Sequence, residues 1–223
     1  MRDASSSRPR LVVFDLDGTL IDSIGDIASS ANQSLAEAYG EGAQLSPDVV
    51  RGFVGHGARQ LIERCVVAAG EPPADVSRVF ERFLAIYSSR LTETTRLYPG
   101  MREALDRIEA TSRLAVLTNK PGGMSRTILK DLGLIGRFVA VVGGDDFPSK
   151  KPDPEGLLKI AAEAGVSPQE TALVGDSAVD IRTARNAGAL AVGVLWGYDR
   201  EGVIREQPDV LLADPRELAA TGR

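Results

Sequence analysis

Leu11-Val12-Val13-Phe14-Asp15-Leu16-Asp17-Gly18-Thr19-Leu20 is the stretch that decides the fold. Four apolar side chains, mostly β-branched or aromatic, run unbroken into an acidic pair. Such a run reads as a central strand of a parallel sheet, buried on both faces. Open α/β sheets bind ligands beyond the carboxyl ends of their strands, so Asp15 and Asp17 stand where chemistry is done. Their i, i+2 spacing places both side chains on one face while strand geometry lasts, and Gly18 lets the backbone turn sharply after them. Two like charges this close raise each other's pKa and call for a shared proton or a cation. A hard divalent ion with oxygen ligands, such as magnesium, meets that need.

Around this strand the chain has the length for one sizeable domain, or for a core with a smaller insert: 223 residues, 43% hydrophobic and 26% charged. With 31 acidic against 26 basic residues and a net charge of -5, it has no basic block, which argues against a nucleic-acid partner. A single cysteine, Cys65, precludes an internal disulfide and fits a reducing compartment. Met1 to Arg10 is polar and carries no apolar run, which predicts no signal peptide, and no stretch approaches the roughly 18 apolar residues of a membrane span. A cytoplasmic protein with no membrane partner is expected.

Downstream of Asp22-Ser23 the period changes from strand to helix and stays helical for some seventy residues. Ile24, Ile27, Ala28, Ala31 and Leu35 recur at helical spacing up to Gly40, Ser46-Pro47 starts a short helix, and further helices run from about Ala58 to Ala69 and through Val76 to Leu91. An all-helical block between strands reads as a small bundle inserted into an α/β core, so residues 1–22 and 95–223 are assigned to the core and 23–94 to the insert. From Tyr98-Pro99-Gly100 onward strands and helices alternate. Strands are expected at Leu114–Leu117, Phe138–Val142 and Thr171–Val174, with outer ones at Ala191–Leu195 and Val210–Leu212; helices at Met101–Ala110, Gly123–Leu132, Glu155–Ala164 and Ile181–Ala187. The fold class is α/β, a doubly wound parallel sheet with an inserted all-helical domain.

Polar groups follow these strands at regular places. Thr118-Asn119-Lys120 closes the second core strand, Lys150-Lys151-Pro152 follows the third, and Gly175-Asp176-Ser177 closes the fourth, with Asp180 one helical turn on. Taken singly, each has an ordinary reading: Thr118 as a helix cap, the lysines as a solvated loop, Asp180 as a first-turn acid favoured by the helix dipole. Taken together and in order, with Asp15-Leu16-Asp17-Gly18-Thr19 at the head, they resemble the four motifs of the haloacid dehalogenase superfamily. The resemblance covers the chain from Leu11 to Leu212. It implies a Rossmann-like core, a helical cap, and phosphate monoester hydrolysis through an aspartyl-phosphate.

Residue by residue, the resemblance implies Asp15 as nucleophile and Asp17 as general acid and base. Thr118 and Lys151 would hold the transferring phosphoryl group with Gly18 and Asn119, the family's placement of lysine directly before proline selecting Lys151 over Lys150. Magnesium would be held by Asp15, the Asp17 backbone carbonyl and Asp176, with Asp180 as ligand or support. The whole-chain arrangement, including Val54-Gly55-His56-Gly57 and Lys151-Pro152-Asp153-Pro154, is most similar to the phosphoglycolate phosphatases, which makes 2-phosphoglycolate the expected small phosphorylated metabolite for a monomer or homodimer. In the helical block, Arg59 is a candidate for a substrate carboxylate and His56 for a hydrogen bond. Another sugar-phosphate phosphatase or a phosphomutase would share this machinery. A dehalogenase would not need an acid at position 17, a phosphonate hydrolase would need a cap amine that the lysine-free segment Ile24–Leu91 lacks, and a phosphoaspartate receiver module would have neither the insert nor Asp17.

Overall fold

The computed structural model describes residues 8–220, apart from the side chains of Asp75, Ala219 and Ala220; most of the polar stretch Met1 to Arg10 read above lies outside the described residues. Strand β1 (Leu11–Phe14) is central, as its unbroken apolar run requires. It pairs in parallel with β4 (Arg113–Leu117) on one side and β6 (Thr171–Gly175) on the other, Phe14 standing opposite both Val116 and Val174. Strand β5 (Phe138–Val142) extends the sheet beyond β4, and β7 (Leu190–Val194) and β8 (Val210–Leu212) extend it beyond β6, giving the parallel order β5-β4-β1-β6-β7-β8. After β5 the chain crosses to the far side of β1, so the carboxyl end of β1 lies at the point where strand order reverses.

Alternation along each strand divides the core into two layers. Val12 and Phe14 join one hydrophobic cluster with Met101 and Leu105 of α5 (Met101–Glu109) and Ile128 and Leu129 of α6 (Gly122–Asp131). Leu11 and Val13 join the other with Leu157 and Ile160 of α7 (Glu155–Glu163) and Ile181 and Ala184 of α8 (Ala178–Ala187). Each fully buried side chain of this kind contributes about 1.5–3 kcal/mol, and β1 is fully flanked because both its faces do so. Helix α8 begins three residues before the expected Ile181. The reason is a capping interaction in which Asp180 accepts from the backbone N–H and hydroxyl of Ser177. A short helix, α9 (Arg200–Glu206), follows β7 where none was expected; Asp199 caps it by accepting from Gly202 N–H at 2.9 Å.

Between β2 (Ile21–Asp22) and β3 (Arg96–Leu97) lie α1 (Ile24–Tyr39), α2 (Pro47–Arg51), α3 (Ala58–Ala68) and α4 (Val76–Ser88). Their apolar faces, among them Ile27, Leu35, Ile62, Val79 and Phe83, form one cluster continuous with the sheet layer below. No helix among the described residues is long and apolar enough to cross a membrane.

The two crossings into the helices were not legible as strands, but β2 and β3 pair antiparallel, Ile21 against Leu97 and Asp22 against Arg96. A single buried carboxylate ties them just beyond. Asp26 accepts from the backbone N–H groups and the hydroxyls of both Thr94 and Thr95, at 2.6 to 3.1 Å. Burial would raise its pKa, but the hydrogen bonds from Thr94 and Thr95 prevail and hold it below the ordinary aspartate value. A depressed folded-state pKa means stability present above the unfolded value near 3.8 and lost as pH falls through the folded one. Asp26→Asn is therefore expected to lower stability at pH 7 by about 2 kcal/mol. Urea unfolding checks it: the wild-type advantage must shrink below pH 4.

Candidate active site

β1 ends at Phe14, and the next residues leave the strand. Asp15 keeps the sheet register through its N–H, which donates to Val174 carbonyl at 2.9 Å. The backbone then coils so tightly that Leu16 carbonyl accepts from both Leu20 and Ile21 N–H groups. The expected shared face of Asp15 and Asp17 is lost because strand geometry stops before the pair. Their carboxylates separate, yet both line one cavity.

Asp15 faces the other strand ends. Oxygens of Asp15, Asp176 and Asp180 lie within 4.8 Å of one another, and all three residues are buried. Lys151, from the loop after β5, places its ammonium 2.9 Å from Asp15 Oδ1 and 2.6 Å from Asp180 Oδ1. One buried cation thus bridges two of the three carboxylates. Burial, reinforced by Asp180 and resisted by Lys151, pushes the Asp15 carboxyl up to about 6. Burial and the charges of Asp15 and Asp180 drive Asp176 well above the usual range. Lys151 is opposed by burial too, but Asp15 and Asp180 outweigh it and hold it charged.

Asp176 is oriented by Thr19 Oγ1, donating to Oδ1 at 3.0 Å, and by Tyr198 N–H, donating to Oδ2 at 2.7 Å. Trp196 Nε1 holds the Thr19 carbonyl at 3.0 Å. Gly18, at φ +83°, packs against this carboxylate; a Cβ there would stand 2.2 Å from Asp176 Oδ2. Its N–H donates to Ile21 carbonyl, so the residue expected to bind phosphate is required by the fold for its missing side chain.

Asp17 turns the other way. Both its oxygens accept from Lys120 Nζ at 3.0 Å, and Oδ1 also accepts from Ser23 Oγ at 2.5 Å. Ser23 N–H donates in turn to Tyr198 Oη at 2.8 Å. Burial opposes the charge on Lys120, but Asp17 and Tyr87 prevail and keep it protonated. Sequence reasoning passed over Lys120, Ser23 and Tyr87. For Lys120 a signal was present, because it stands two residues after Thr118 at the end of β4, on the side that faces the site.

Thr118 is not the helix cap that its residue type allows: α6 begins after Pro121, and the Thr118 hydroxyl accepts from Lys120 N–H at 3.3 Å. Its own proton is left to be donated into the cavity. Asn119 is committed elsewhere. Its Oδ1 accepts from Lys151 N–H, and its Nδ2 donates to the carbonyls of Lys151 and Gly55, so its side chain positions Lys151 instead of serving an anion.

The cavity, about 50 Å³, is floored by Asp15, Asp17, Thr118 and Lys120 and roofed by Ile27, Val54, Leu61, Phe83 and Tyr87. It has room for a few waters or for a leaving group of a few heavy atoms. Neither cap candidate lines it. Arg59 lies on the outer surface of α3, bonded to Glu63 Oε1 at 3.2 Å and Ser77 Oγ at 3.3 Å, its guanidinium 5.6 Å from the Phe80 ring centre. Its i, i+4 acid made that outcome legible. His56 is exposed in the loop before α3, its pKa lowered by partial burial and then by Arg64.

The profile of the haloacid dehalogenase-like hydrolases matches residues 12–194, from β1 through β7. The chain belongs to this family. This haloacid dehalogenase-like hydrolase is 38% identical over 214 residues to a phosphoglycolate phosphatase of Agrobacterium fabrum, covering 94% of this chain and 91% of that one. It is 42% identical over 200 residues to a phosphoglycolate phosphatase of Cereibacter sphaeroides, covering 88% and 89%. Among solved structures it is similar to a predicted phosphoglycolate phosphatase from Haemophilus somnus, with a TM-score of 0.89 and 33% identity over 95% of this chain and 96% of that one. The hydrolase is a phosphatase, as the family resemblance implied, and a receiver module is set aside.

Does the acidic cluster suit a metal? Asp15 Oδ1 has the Lys151 ammonium beside it but receives no aligned hydrogen bond, an orphaned acceptor facing two further carboxylates. An all-oxygen donor set with excess negative charge fits a hard divalent cation.

Proposed function

We propose that this phosphatase hydrolyses a small phosphate monoester, 2-phosphoglycolate, with magnesium bound and through an aspartyl-phosphate on Asp15. The observation that carries the reading is the division of the acidic pair across one cavity: Asp15 joins Asp176, Asp180 and Lys151, whereas Asp17 joins Lys120 and Ser23. One carboxylate is set for attack and the other for proton transfer.

Asp15, Asp176 and the backbone carbonyl of Asp17 would hold the ion, with Asp180 steadying Lys151 beside it. When bound, magnesium supplies positive charge for the carboxylates and the phosphoryl oxygens. Asp15 attacks phosphorus in line with the leaving oxygen, forming one P–O bond as the ester P–O bond breaks. Asp17 gives its proton to that oxygen, then as a carboxylate takes one from the water that cleaves the acyl phosphate. Lys151 and the Thr118 hydroxyl stabilise charge on the phosphoryl oxygens. The four inserted helices act as a cap whose apolar roof keeps bulk water out. The size of the cavity and the names of the relatives support 2-phosphoglycolate over larger esters.

Phosphate release from 2-phosphoglycolate, hexose phosphates and nucleoside monophosphates, each with and without magnesium, tests the reading. Magnesium-dependent release is expected, greatest with 2-phosphoglycolate. Equal release after chelation, or preference for a nucleotide, would contradict it, and transfer to a bound alcohol without free phosphate would reveal a mutase.

A further inference from the structure

Lys120 carries one of two buried ammonium groups near the reacting centre, and the mechanism above gives it no step. Its side chain is 5% exposed, and its three protons have three acceptors: Asp17 Oδ1 and Oδ2, each at 3.0 Å, and Tyr87 Oη at 2.5 Å. An ammonium with every donor engaged has none left for substrate, so Lys120 acts through its partners. Tyr87 belongs to α4 of the cap, is itself 2% exposed, stacks on Phe83 with ring centres 5.5 Å apart, and meets the Lys120 ammonium through its hydroxyl. Asp17, Lys120 and Tyr87 therefore form one chain of contacts from core to cap.

The neighbouring residue repeats the pattern. Asn119 Nδ2 donates to Gly55 carbonyl in the cap at 2.9 Å, and Asn119 Oδ1 accepts from Lys151 N–H at 3.0 Å. Two consecutive residues after β4 each join a cap segment to a residue that pairs with or belongs to the acidic pair, Asn119 joining Gly55 to Lys151 and Lys120 joining Tyr87 to Asp17. Lifting the cap removes Tyr87 Oη and Gly55 carbonyl together.

We propose that Lys120 is a positioning residue that aims Asp17 at the leaving oxygen, and that Tyr87 sets it when the cap is seated. This rests on the reading of Asp17 as the acid. With the cap raised, Lys120 loses the acceptor that fixes its ammonium in place; with the cap closed, the carboxyl is held between Lys120 and Ser23. Proton transfer is thereby tied to closure, so that the ester bond is cleaved only when the site is covered.

The test uses the magnesium-loaded full chain and two small substrates. With 2-phosphoglycolate the leaving alkoxide needs its proton; with acetyl phosphate the acetate leaves without one and is no larger. Lys120→Met is expected to lower kcat/KM for 2-phosphoglycolate by about 100-fold and to lower that for acetyl phosphate far less, with Lys120→Arg recovering part of the loss. Tyr87→Phe keeps the ring and removes one acceptor, so the same selective loss of about 3- to 10-fold is expected. Because it spares the buried charge pair, it decides the matter even if Lys120→Met folds poorly. Equal losses on both substrates, or a rise in KM with kcat unchanged, would overturn the positioning role. Wild-type protein that hydrolyses neither substrate would overturn the phosphatase reading itself, which separates the two failures.

Discussion

Asp15→Asn is expected to lower kcat for phosphate release by between about 10⁴- and 10⁶-fold, with the protein folded and at least as stable as wild type. The amide keeps the size and one acceptor of the carboxylate but cannot form an acyl phosphate. Stability is expected to hold because Asp15 is buried with its pKa pushed up to about 6, so its charge is a burden on the metal-free fold at neutral pH. Removing that charge relieves Asp176 and Asp180 within the same cluster. Steady-state phosphate release and urea unfolding of the one variant check both halves. A variant retaining even a tenth of the activity would place the nucleophile elsewhere.

Lys151→Met is expected to fail differently, in stability as well as rate. Lys151 is the buried cation between Asp15 and Asp180. Its loss leaves like charges uncompensated, a deletion that costs about 3–5 kcal/mol in a buried ion pair. Added magnesium is expected to return much of that stability, since the cluster accepts a divalent ion in place of the ammonium. Turnover is not expected to return, because the donor to the phosphoryl oxygens is gone, a loss of about 10²- to 10³-fold. Unfolding midpoints with and without magnesium, beside kcat, read both. A variant as stable as wild type without metal would mean that the three carboxylates are not charged together.

The central sheet was legible because its signal is strong: four apolar residues running into Asp15 admit few alternatives, and the parallel pairing followed from alternating elements, whereas the strand order did not. The positions of Asp176, Asp180 and Lys151 were legible for a related reason, since Asp176 stands directly after a strand, Lys151 in the loop that follows one, and Asp180 in the first turn of the helix after Asp176. What the sequence concealed was contact across the two layers. Tyr87 reads as one more member of an apolar helical stripe, and nothing local shows that its hydroxyl meets Lys120. Asp26 looks like an ordinary first-turn acid of α1, whereas its four donors come from residues 94 and 95. Arg59 reads in the opposite sense: an arginine after a glycine loop invites a ligand, whereas here it pairs with Glu63 one turn away on the exposed side of α3.

The central claim is that the phosphoryl group passes through Asp15 before it reaches water, and the stereochemistry at phosphorus tests it most directly. A phosphorothioate ester made chiral at phosphorus with one heavy oxygen isotope, hydrolysed in water enriched in the other, releases chiral thiophosphate whose configuration reports the number of displacements. Two in-line displacements, the first by Asp15 and the second by water, predict retention of configuration. Inversion would mean a single direct attack by water and would contradict the account.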